Sequence, residues 1–371
     1  MWLFSLLLLV SGKNTKIAFG SCHGHLFQSN YLIFESIANY HPDIYIWLGD
    51  AVYADLESWP NPMSEKYLPG WEGQYKTLKS NYYYKRLQNS TRITGIWDDH
   101  DFGENDSSGD FPLKEVSQKM FMEFIGDSVE HPGIYRTVYI DDRVRVLLLD
   151  VRYFRVRGKD VLGDAQWEWL RKELELDYEI TLIASGLQIN AEDRFAAYTE
   201  HWDDNSRVRL LKMIESKKGV ILLTGDIHFG EIMLNPCHTY PLLEVTSSGL
   251  SHTEVTIYGY LANWYIHTTN AMSYHKNLRV FQKHFAVLEI DWDAKTLSTS
   301  LRDTNGQIII EETYTLSYLL TPLQEHKNLC EIEPKTRHYE HLAATLIVFH
   351  IPLFLITLAG LISLRKYTNA Y

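Results

Sequence analysis

The sequence predicts an α/β fold with a large mixed β-sheet core, and three observations support this. Short apolar runs, typical of strands buried on both faces, alternate along the chain with segments of helical periodicity. Residues 286–316 instead alternate apolar and polar side chains and turn at Asp293-Ala294 and Asn305-Gly306, which indicates antiparallel strands. Hydrophobic residues make up 45% of the 371-residue chain and charged residues 22%, as in ordinary globular proteins.

The predicted strands and helices alternate along the first two thirds of the chain. Buried strands are expected at Lys16–Phe19, Asp43–Leu48, Arg92–Trp97, Val144–Leu149, Ile180–Ala184, Gly219–Leu223 and Leu242–Val245. Helical periodicity appears at Leu32–Tyr40, Val116–Phe124, Gln166–Leu174 and Val208–Glu215. We therefore expect one folded domain over residues 13–320, followed by a juxtamembrane stalk over residues 321–341.

The two ends of the chain predict a membrane topology. Residues 2–10 are apolar and Ser11-Gly12 follow, which resembles a signal peptide over residues 1–12; a buried N-terminal strand is the alternative. Residues 342–364 carry no charge and are long enough to cross a hydrocarbon core of about 30 Å as a helix. The basic Arg365-Lys366 pair beyond them marks a cytoplasmic tail over residues 365–371 and argues against a lipid-anchor signal.

These features predict a single-pass type I membrane protein whose folded domain is luminal or extracellular. Two glycosylation sequons begin at Asn89 and Asn105; Asn89 is the predicted glycosylation site, because Asn105 falls within the candidate active site. The three cysteines, Cys22, Cys237 and Cys330, cannot all pair, and whether the last two form a disulfide stays open. The net charge of −12, without a long basic run, argues against nucleic acid as a partner.

Polar residues follow the ends of the predicted strands, where ligands of open α/β sheets bind. They form the segments Gly20–His23, Gly49–Asp55, Asp98–Asp101, Asp150–Arg152, Ser185–Gln188 and Gly225–His228. Two metal ions about 3.5–4 Å apart, which polarise a phosphate and generate hydroxide, need a bridging carboxylate and ligands from several strands. The pattern therefore predicts a two-metal hydrolytic site.

Individual residue types sharpen this prediction. Asp50 is the candidate bridging carboxylate, because the preceding Gly49 lets the strand end approach the ions closely. The Asp98–Asp101 run is the most specific signal, since four titratable residues behind a buried strand are unfavourable without cations. Cys22 suits a thiolate ligand, with a plain buried thiol as the alternative. Arg152 suits bidentate phosphate binding, with a structural salt bridge as an equal alternative.

The motifs and their order along the chain resemble those of the PhoD-like alkaline phosphatase/phosphodiesterase branch of the calcineurin-like metallophosphoesterase superfamily. The matching segments are Gly20-Ser21-Cys22, Gly49 to Tyr53, Trp97 to Asp101 and Gly225 to His228, and the resemblance covers roughly residues 16 to 316. It implies a four-layer αββα sandwich with two mixed sheets. It also implies hydrolysis of phosphate monoesters or diesters by a metal-activated hydroxide. The predicted membrane span suggests substrates near a membrane surface, so the expected substrate is a small phosphate ester or a lipid headgroup.

The resemblance also implies Fe³⁺ and Ca²⁺ as cofactors, with other divalent metals as alternatives. The implied iron ligands are Cys22, Asp50, Tyr53 and His228, and those of the second metal are Asp50, Asp99 and Asp226. His100 is expected to act as the acid that faces the phosphate and Arg152 as a phosphate ligand, and the substrate-binding residues are expected to include Asp98 and Gln188. The alternatives are a phospholipid-directed phosphodiesterase and a receptor or adhesion protein that has lost catalysis.

Overall fold

The structure is a computed structural model that describes residues 14–24, 31–53, 55, 68–190, 202–235, 238–251, 253 and 278–323. The predicted signal peptide, the predicted membrane span, Cys237 and Cys330 lie outside these residues. None of the helices within the described ranges combines the length and the hydrophobicity that a bilayer span requires.

Strands and helices alternate through the described residues. The strands are β1 (Thr15–Gly20), β2 (Ile44–Leu48), β3 (Arg92–Ile96), β4 (Arg136–Tyr139), β5 (Val144–Leu148), β6 (Ile180–Ser185), β7 (Val220–Thr224), β8 (Gly230–Asn235), β9 (Leu242–Ser247), β10 (Leu278–Val280), β11 (His284–Asp291), β12 (Thr296–Asp303) and β13 (Ile308–Thr315). The helices are α1 (Leu32–Tyr40), α2 (Leu68–Ser80), α3 (Tyr82–Ser90), α4 (Asp99–Phe102), α5 (Lys114–Ile125), α6 (Gly163–Glu173), α7 (Asp204–Ile214) and α8 (Leu316–Leu320).

The strands form two mixed sheets, so the predicted α/β class is confirmed. The first sheet has the order β13-β12-β11-β1-β2-β3, in which β1, β2 and β3 are parallel and β11 to β13 are antiparallel to their neighbours. The second sheet has the order β10-β8-β9-β7-β6-β5-β4, in which β5, β6, β7 and β9 are parallel. The carboxyl ends of the parallel strands carry the polar segments that the sequence singled out.

Alternate residues of the second sheet pack in opposite directions. Val146 and Leu148 of β5 belong to the core cluster that also contains the first sheet. Leu147, between them, belongs to a separate cluster with Trp167 of α6 and Leu210 of α7. Because side chains of a strand alternate between its two faces, one face of this sheet packs toward the other sheet and one face packs under helices.

Aromatic side chains join the first sheet to its helices. The Trp47 ring of β2 lies 5.8 Å from the Phe34 ring of α1, 6.0 Å from the Tyr84 ring of α3 and 6.2 Å from the Phe124 ring of α5. The Trp47 indole N–H donates to the Tyr84 hydroxyl at 3.0 Å, which satisfies the one polar group that this buried indole carries. The helices thereby fix β2, whose carboxyl end enters the candidate site.

A short connection joins the two sheets beside that site. Ser21, directly after β1, forms an isolated parallel bridge with Ser248, directly after β9. The Ser21 N–H donates to the Ser247 carbonyl at 2.9 Å, and the Leu250 N–H donates to the Ser21 carbonyl at 3.2 Å. Backbone hydrogen bonds therefore hold the carboxyl ends of β1 and β9 together.

Candidate metal centre

Four residues at the strand ends adopt a left-handed backbone conformation that residues with side chains rarely take. Cys22 follows β1 with a φ of 63°, Asp50 follows β2 with a φ of 50°, and Asp226 and His228 follow β7 with φ values of 70° and 57°. Each such residue costs on the order of 1–3 kcal/mol and persists where the surrounding structure enforces it, often at a functional site. All four have side chains that bind metals.

The side chains predicted to hold iron come together at this edge. Asp50 Oδ2 lies 3.6 Å from the Cys22 sulfur and 3.2 Å from the Tyr53 hydroxyl oxygen. The Tyr53 hydroxyl oxygen lies 3.4 Å from His228 Nε2. A sulfur, a carboxylate, a phenol and an imidazole therefore form one connected group.

Asp50 also belongs to a cluster of acids. One ligand oxygen from each of Asp50, Asp98, Asp99 and Asp226 lies within 4.8 Å of the others, and Asp50, Asp99 and His100 form an overlapping group on the same criterion. Asp50 is thus shared between the sulfur-containing group and the acid cluster. That is the position that a carboxylate bridging two metal ions occupies.

The electrostatics of this region fit bound cations. Burial and the neighbouring Asp99 carboxylate raise the pKa of Asp50 well above its usual range, and burial raises the pKa of the Cys22 thiol to about 12. Burial lowers the pKa of His228 to about 4, so its imidazole is neutral, which is the form that binds metals. Asp99 Oδ1 is buried and accepts no hydrogen bond from the described residues. Cations would stabilise these ionised carboxylates and the thiolate, so the donor set fits metal ions.

Two glycines allow the strand ends to approach this closely. A Cβ atom on Gly49, whose φ is +101°, would lie 2.4 Å from the Asp98 Cβ atom. A Cβ atom on Gly186 would lie 2.6 Å from an Asp98 carboxylate oxygen. The close neighbour that requires a glycine at position 49 is therefore Asp98, and the predicted approach of this strand end to metal ions stays a prediction.

His100 pairs with a carboxylate that the sequence analysis did not assign to the site. Its Nδ1 atom lies 2.8 Å from Asp55 Oδ1, and both side chains are buried. Burial alone would lower the pKa of His100, but Asp99, Asp55 and Asp50 outweigh it and raise the pKa to about 10. Asp55 fixes the ring and leaves Nε2 as the nitrogen for other partners. The only signal in the sequence was a second aspartate five positions after Asp50.

Asp101 holds two segments of the site together. Its carboxylate accepts hydrogen bonds from the backbone N–H groups of Ala51 and Val52, at 3.2 and 3.3 Å, and from the Tyr75 hydroxyl at 2.9 Å. Asp101 therefore ties the loop after β2 to α4 and α2. It does so without joining the acid cluster of Asp50.

Arg152 is entirely buried and is paired with an acid. Its Nε atom donates to Asp98 Oδ1 at 2.5 Å and its Nη1 atom to the Ser107 carbonyl at 3.3 Å, and its Nη2 atom lies 3.9 Å from Asp99 Oδ1. Arg152 therefore forms a buried salt bridge, which was one of the two roles that the sequence left open for it. Direct contact of Arg152 and Asp98 with substrate stays a prediction.

Two other predicted residues lie in different surroundings. The amide nitrogen of Gln188 donates to Glu231 Oε2 at 3.2 Å and to the Thr246 hydroxyl at 2.8 Å, which ties Gln188 to β8 and β9. Its role in substrate binding stays a prediction. Asn89 is exposed near the end of α3, and its glycosylation also stays a prediction.

Comparison with known proteins assigns the chain to a family. The sequence model of the PhoD-like phosphatase family matches residues 17–301. The chain belongs to the PhoD-like phosphatase family. The PhoD-like match contains every residue predicted to bind metal, so these residues and the family assignment concern the same domain. No curated protein sequence matches the chain significantly.

Solved structures share the fold of this PhoD-like phosphatase. The structure of PhoD aligns with 90% of this chain and 77% of its own chain, at 16% sequence identity and a TM-score of 0.66. GAP50, described as the anchor in the inner membrane complex of Plasmodium, aligns with 89% of this chain and 94% of its own, at 12% identity and a TM-score of 0.50. At these identities the two matches show the fold alone. Membership of the PhoD-like family identifies the protein as a phosphoesterase, a metal-dependent hydrolase.

Proposed function

We propose that this protein hydrolyses phosphate esters at the metal centre formed by the ends of β1, β2, β3 and β7. The observation that supports it most is the placement of Asp50 between the Cys22–Tyr53–His228 group and the acid cluster. A carboxylate shared by two ligand groups is what a metal pair requires. When bound, the pair supplies the Lewis acid that polarises a phosphate ester and activates water.

The two ligand groups support different metals. Thiolate, phenolate and imidazole around Cys22, Tyr53 and His228 suit iron in the Fe³⁺ state, and the oxygen atoms of Asp50, Asp99 and Asp226 suit Ca²⁺. The resemblance in sequence implies the same pair. Other divalent metals at the oxygen site are the alternative.

The chain's own residues supply a proton and fix its position. The neighbouring carboxylates raise the pKa of His100, which favours its protonated form, and Asp55 holds its Nδ1 atom, so Nε2 is the nitrogen that would donate a proton to the leaving oxygen. Arg152 neutralises Asp98 within the acid cluster, which limits the negative charge that an anionic phosphate would meet.

The substrate class is proposed as small phosphate esters or phosphorylated lipid headgroups. The uncharged run over residues 342–364 supports a substrate near a membrane, whereas the metal centre itself suits either source. A catalytically inactive receptor is disfavoured, because loss of catalysis would leave the ligand residues free to change and all of them are present. We also propose the type I topology with a luminal or extracellular domain, which the sequence alone supports.

The test is hydrolysis of a chromogenic phosphodiester and the matching monoester by the full-length protein, with metal content measured on the same sample. Cys22→Ala and Asp50→Ala are the test variants, and Asp142→Ala, an exposed aspartate, is the control. We expect hydrolysis that a chelator and both test variants abolish and that Asp142→Ala retains. Bound metal without turnover of either ester, or of phospholipid vesicles, would support the inactive receptor instead.

A further inference from the structure

Ser248 lies between two of the proposed ligands of one metal. It follows β9, is completely buried, and accepts a hydrogen bond from the backbone N–H of His228 at 2.7 Å. Its Oγ atom also lies 3.0 Å from the Cys22 sulfur. Cys22 follows β1 and His228 follows β7, so Ser248 joins the ends of three strands at the candidate centre.

The single hydrogen of the Ser248 hydroxyl determines which atom donates in its contact with the Cys22 sulfur. A serine hydroxyl carries one hydrogen and can accept at its lone pairs. The His228 N–H can only donate, so it occupies a lone pair of Ser248 and leaves the hydroxyl hydrogen free for another acceptor. A thiolate is an acceptor alone, and the Cys22 sulfur is within hydrogen-bond distance.

The other serine near the sulfur differs in this respect. Ser21 Oγ lies 3.4 Å from the Cys22 sulfur, and Ser21 donates its hydrogen to the Ser247 carbonyl at 3.1 Å. Its single hydrogen is therefore already used. Of the two serines, Ser248 is the one placed to donate to the sulfur.

We propose that Ser248 is a positioning residue of the metal centre, whose hydroxyl donates to the Cys22 thiolate while its oxygen holds the His228 backbone. The inference rests on the proposed function, since it requires that Cys22 binds metal as a thiolate. A hydrogen bond to a metal-bound thiolate withdraws electron density from sulfur, and such outer contacts also orient the ligands. Ser248 thereby tunes one ligand and fixes the backbone of another.

Ser247 provides a matched control. Its side chain is also completely buried, and its hydroxyl oxygen has no hydrogen-bond partner among the described residues. Ser247→Ala removes a buried hydroxyl next to Ser248 without removing a contact to the sulfur. A general effect of losing a buried hydroxyl would appear in both alanine variants.

The experiment measures the full-length protein loaded with iron and, separately, with Co²⁺. The readouts are the metal content, the position of the thiolate-to-metal charge-transfer band and the rate of metal loss to a chelator. In Ser248→Ala we expect the band to move to longer wavelength and metal loss to become about 10-fold faster or more, because removing an outer contact commonly lowers metal affinity by about 10- to 100-fold. Ser247→Ala should match the wild type.

A second pair of variants separates the hydroxyl from the shape of the side chain. Ser248→Thr keeps the hydroxyl. Ser248→Val has nearly the same shape as the threonine variant but lacks the hydroxyl. The charge-transfer band should therefore stay closer to its wild-type position in Ser248→Thr than in Ser248→Val. The same band and rate in this pair, or in Ser248→Ala and the wild type, would overturn the inference while leaving the proposed function intact. A wild-type protein that binds neither metal would contradict the proposed function, and the inference with it.

Discussion

The protein buries two groups of acids, which are compensated in different ways. At the candidate metal centre, Asp50 and Asp99 lie in one cluster, where the Asp99 carboxylate adds to the effect of burial in raising the pKa of Asp50, and Asp99 Oδ1 accepts no hydrogen bond from the described residues. In the second group, Glu231 and Glu244 of β8 and β9 are equally buried, but protein donors surround them.

The second group is satisfied from within the chain. Glu231 accepts a hydrogen bond from Arg279 at 2.6 Å. Glu244 accepts from the backbone N–H groups of Ile189 and Asn190, at 3.0 and 2.6 Å, and from the Thr224 hydroxyl at 3.0 Å. A buried acid that is satisfied by protein donors can stay ionised, whereas one that is not satisfied is either protonated or paired with a cation. Burial of acids alone would not have separated the two roles.

The largest expected effect comes from Asp50→Asn. Removing the shared carboxylate should lower kcat/KM by at least about 1000-fold, or about 4 kcal/mol, because neither metal keeps its bridging ligand. The metal-free variant should nevertheless unfold at a higher temperature than the metal-free wild type, since a buried repulsion is lost. Steady-state kinetics and thermal unfolding in chelator measure both effects, and a less stable metal-free variant would contradict the comparison.

Arg279→Met should destabilise the second group without affecting the first. It removes the Arg279 guanidinium from the buried Glu231 carboxylate, which costs about 3–5 kcal/mol in the free energy of unfolding. Chemical denaturation should show this loss, and the double variant Arg279→Met with Glu231→Leu should recover most of it. The metal content should not change; loss of metal in the single variant would show that the two groups are coupled.

A buried histidine outside both groups gives a pH dependence. Burial lowers the pKa of His284 from 6.5 to about 4, so the folded state binds fewer protons than the unfolded state between these values. The stability that His284 contributes is complete above about pH 6.5 and is lost as the pH falls toward 4, by about 2 kcal/mol at pH 5. Between pH 7 and pH 5, the change in the free energy of unfolding should differ by about this amount between the wild type and His284→Gln. Parallel pH dependence in the two proteins would refute the assignment.

Asp55→Asn should have a smaller effect on catalysis than Asp50→Asn. It weakens the hold on His100 without removing a proposed metal ligand, so we expect kcat to fall by about 10- to 100-fold at unchanged metal content. Elemental analysis beside the kinetics distinguishes this from metal loss. A variant with wild-type kcat would show that His100 needs no carboxylate partner.

Much of the fold was predictable because its signals are local. The apolar runs predicted β1, β2, β3, β5, β6, β7 and β9 to within two residues at each end, and α1 was predicted with the observed bounds. β8 was missed because Gly230 and Glu231 interrupt its apolar pattern. Glu231 is tolerated in a buried strand through Arg279, which is 48 positions away in the sequence. A pairing at that distance leaves no trace in the local pattern.

In the candidate site, too, residues with a local sequence signal were predicted, whereas contacts between distant residues were not. Cys22, Asp50 and His228 were predicted because each lies within five residues after the end of a predicted apolar strand. Ser248 has the same signal after Leu242–Val245, but it becomes meaningful only through its contact with Cys22, 226 positions away. The pairing of Asp98 with Arg152 joins residues 54 positions apart, so the sequence could not choose between phosphate binding and a salt bridge for Arg152.

The metal stoichiometry of the purified full-length protein tests the central claim most directly. Elemental analysis of the wild type, Cys22→Ala and Asp50→Asn, after each has been equilibrated with Fe³⁺ and Ca²⁺ and freed of excess metal, gives the number of ions per chain. We predict two ions in the wild type, loss of iron with Cys22→Ala, and loss of both ions with Asp50→Asn. A folded wild-type protein that retains no metal, or an Asp50→Asn variant that retains both ions, would contradict the shared-carboxylate centre.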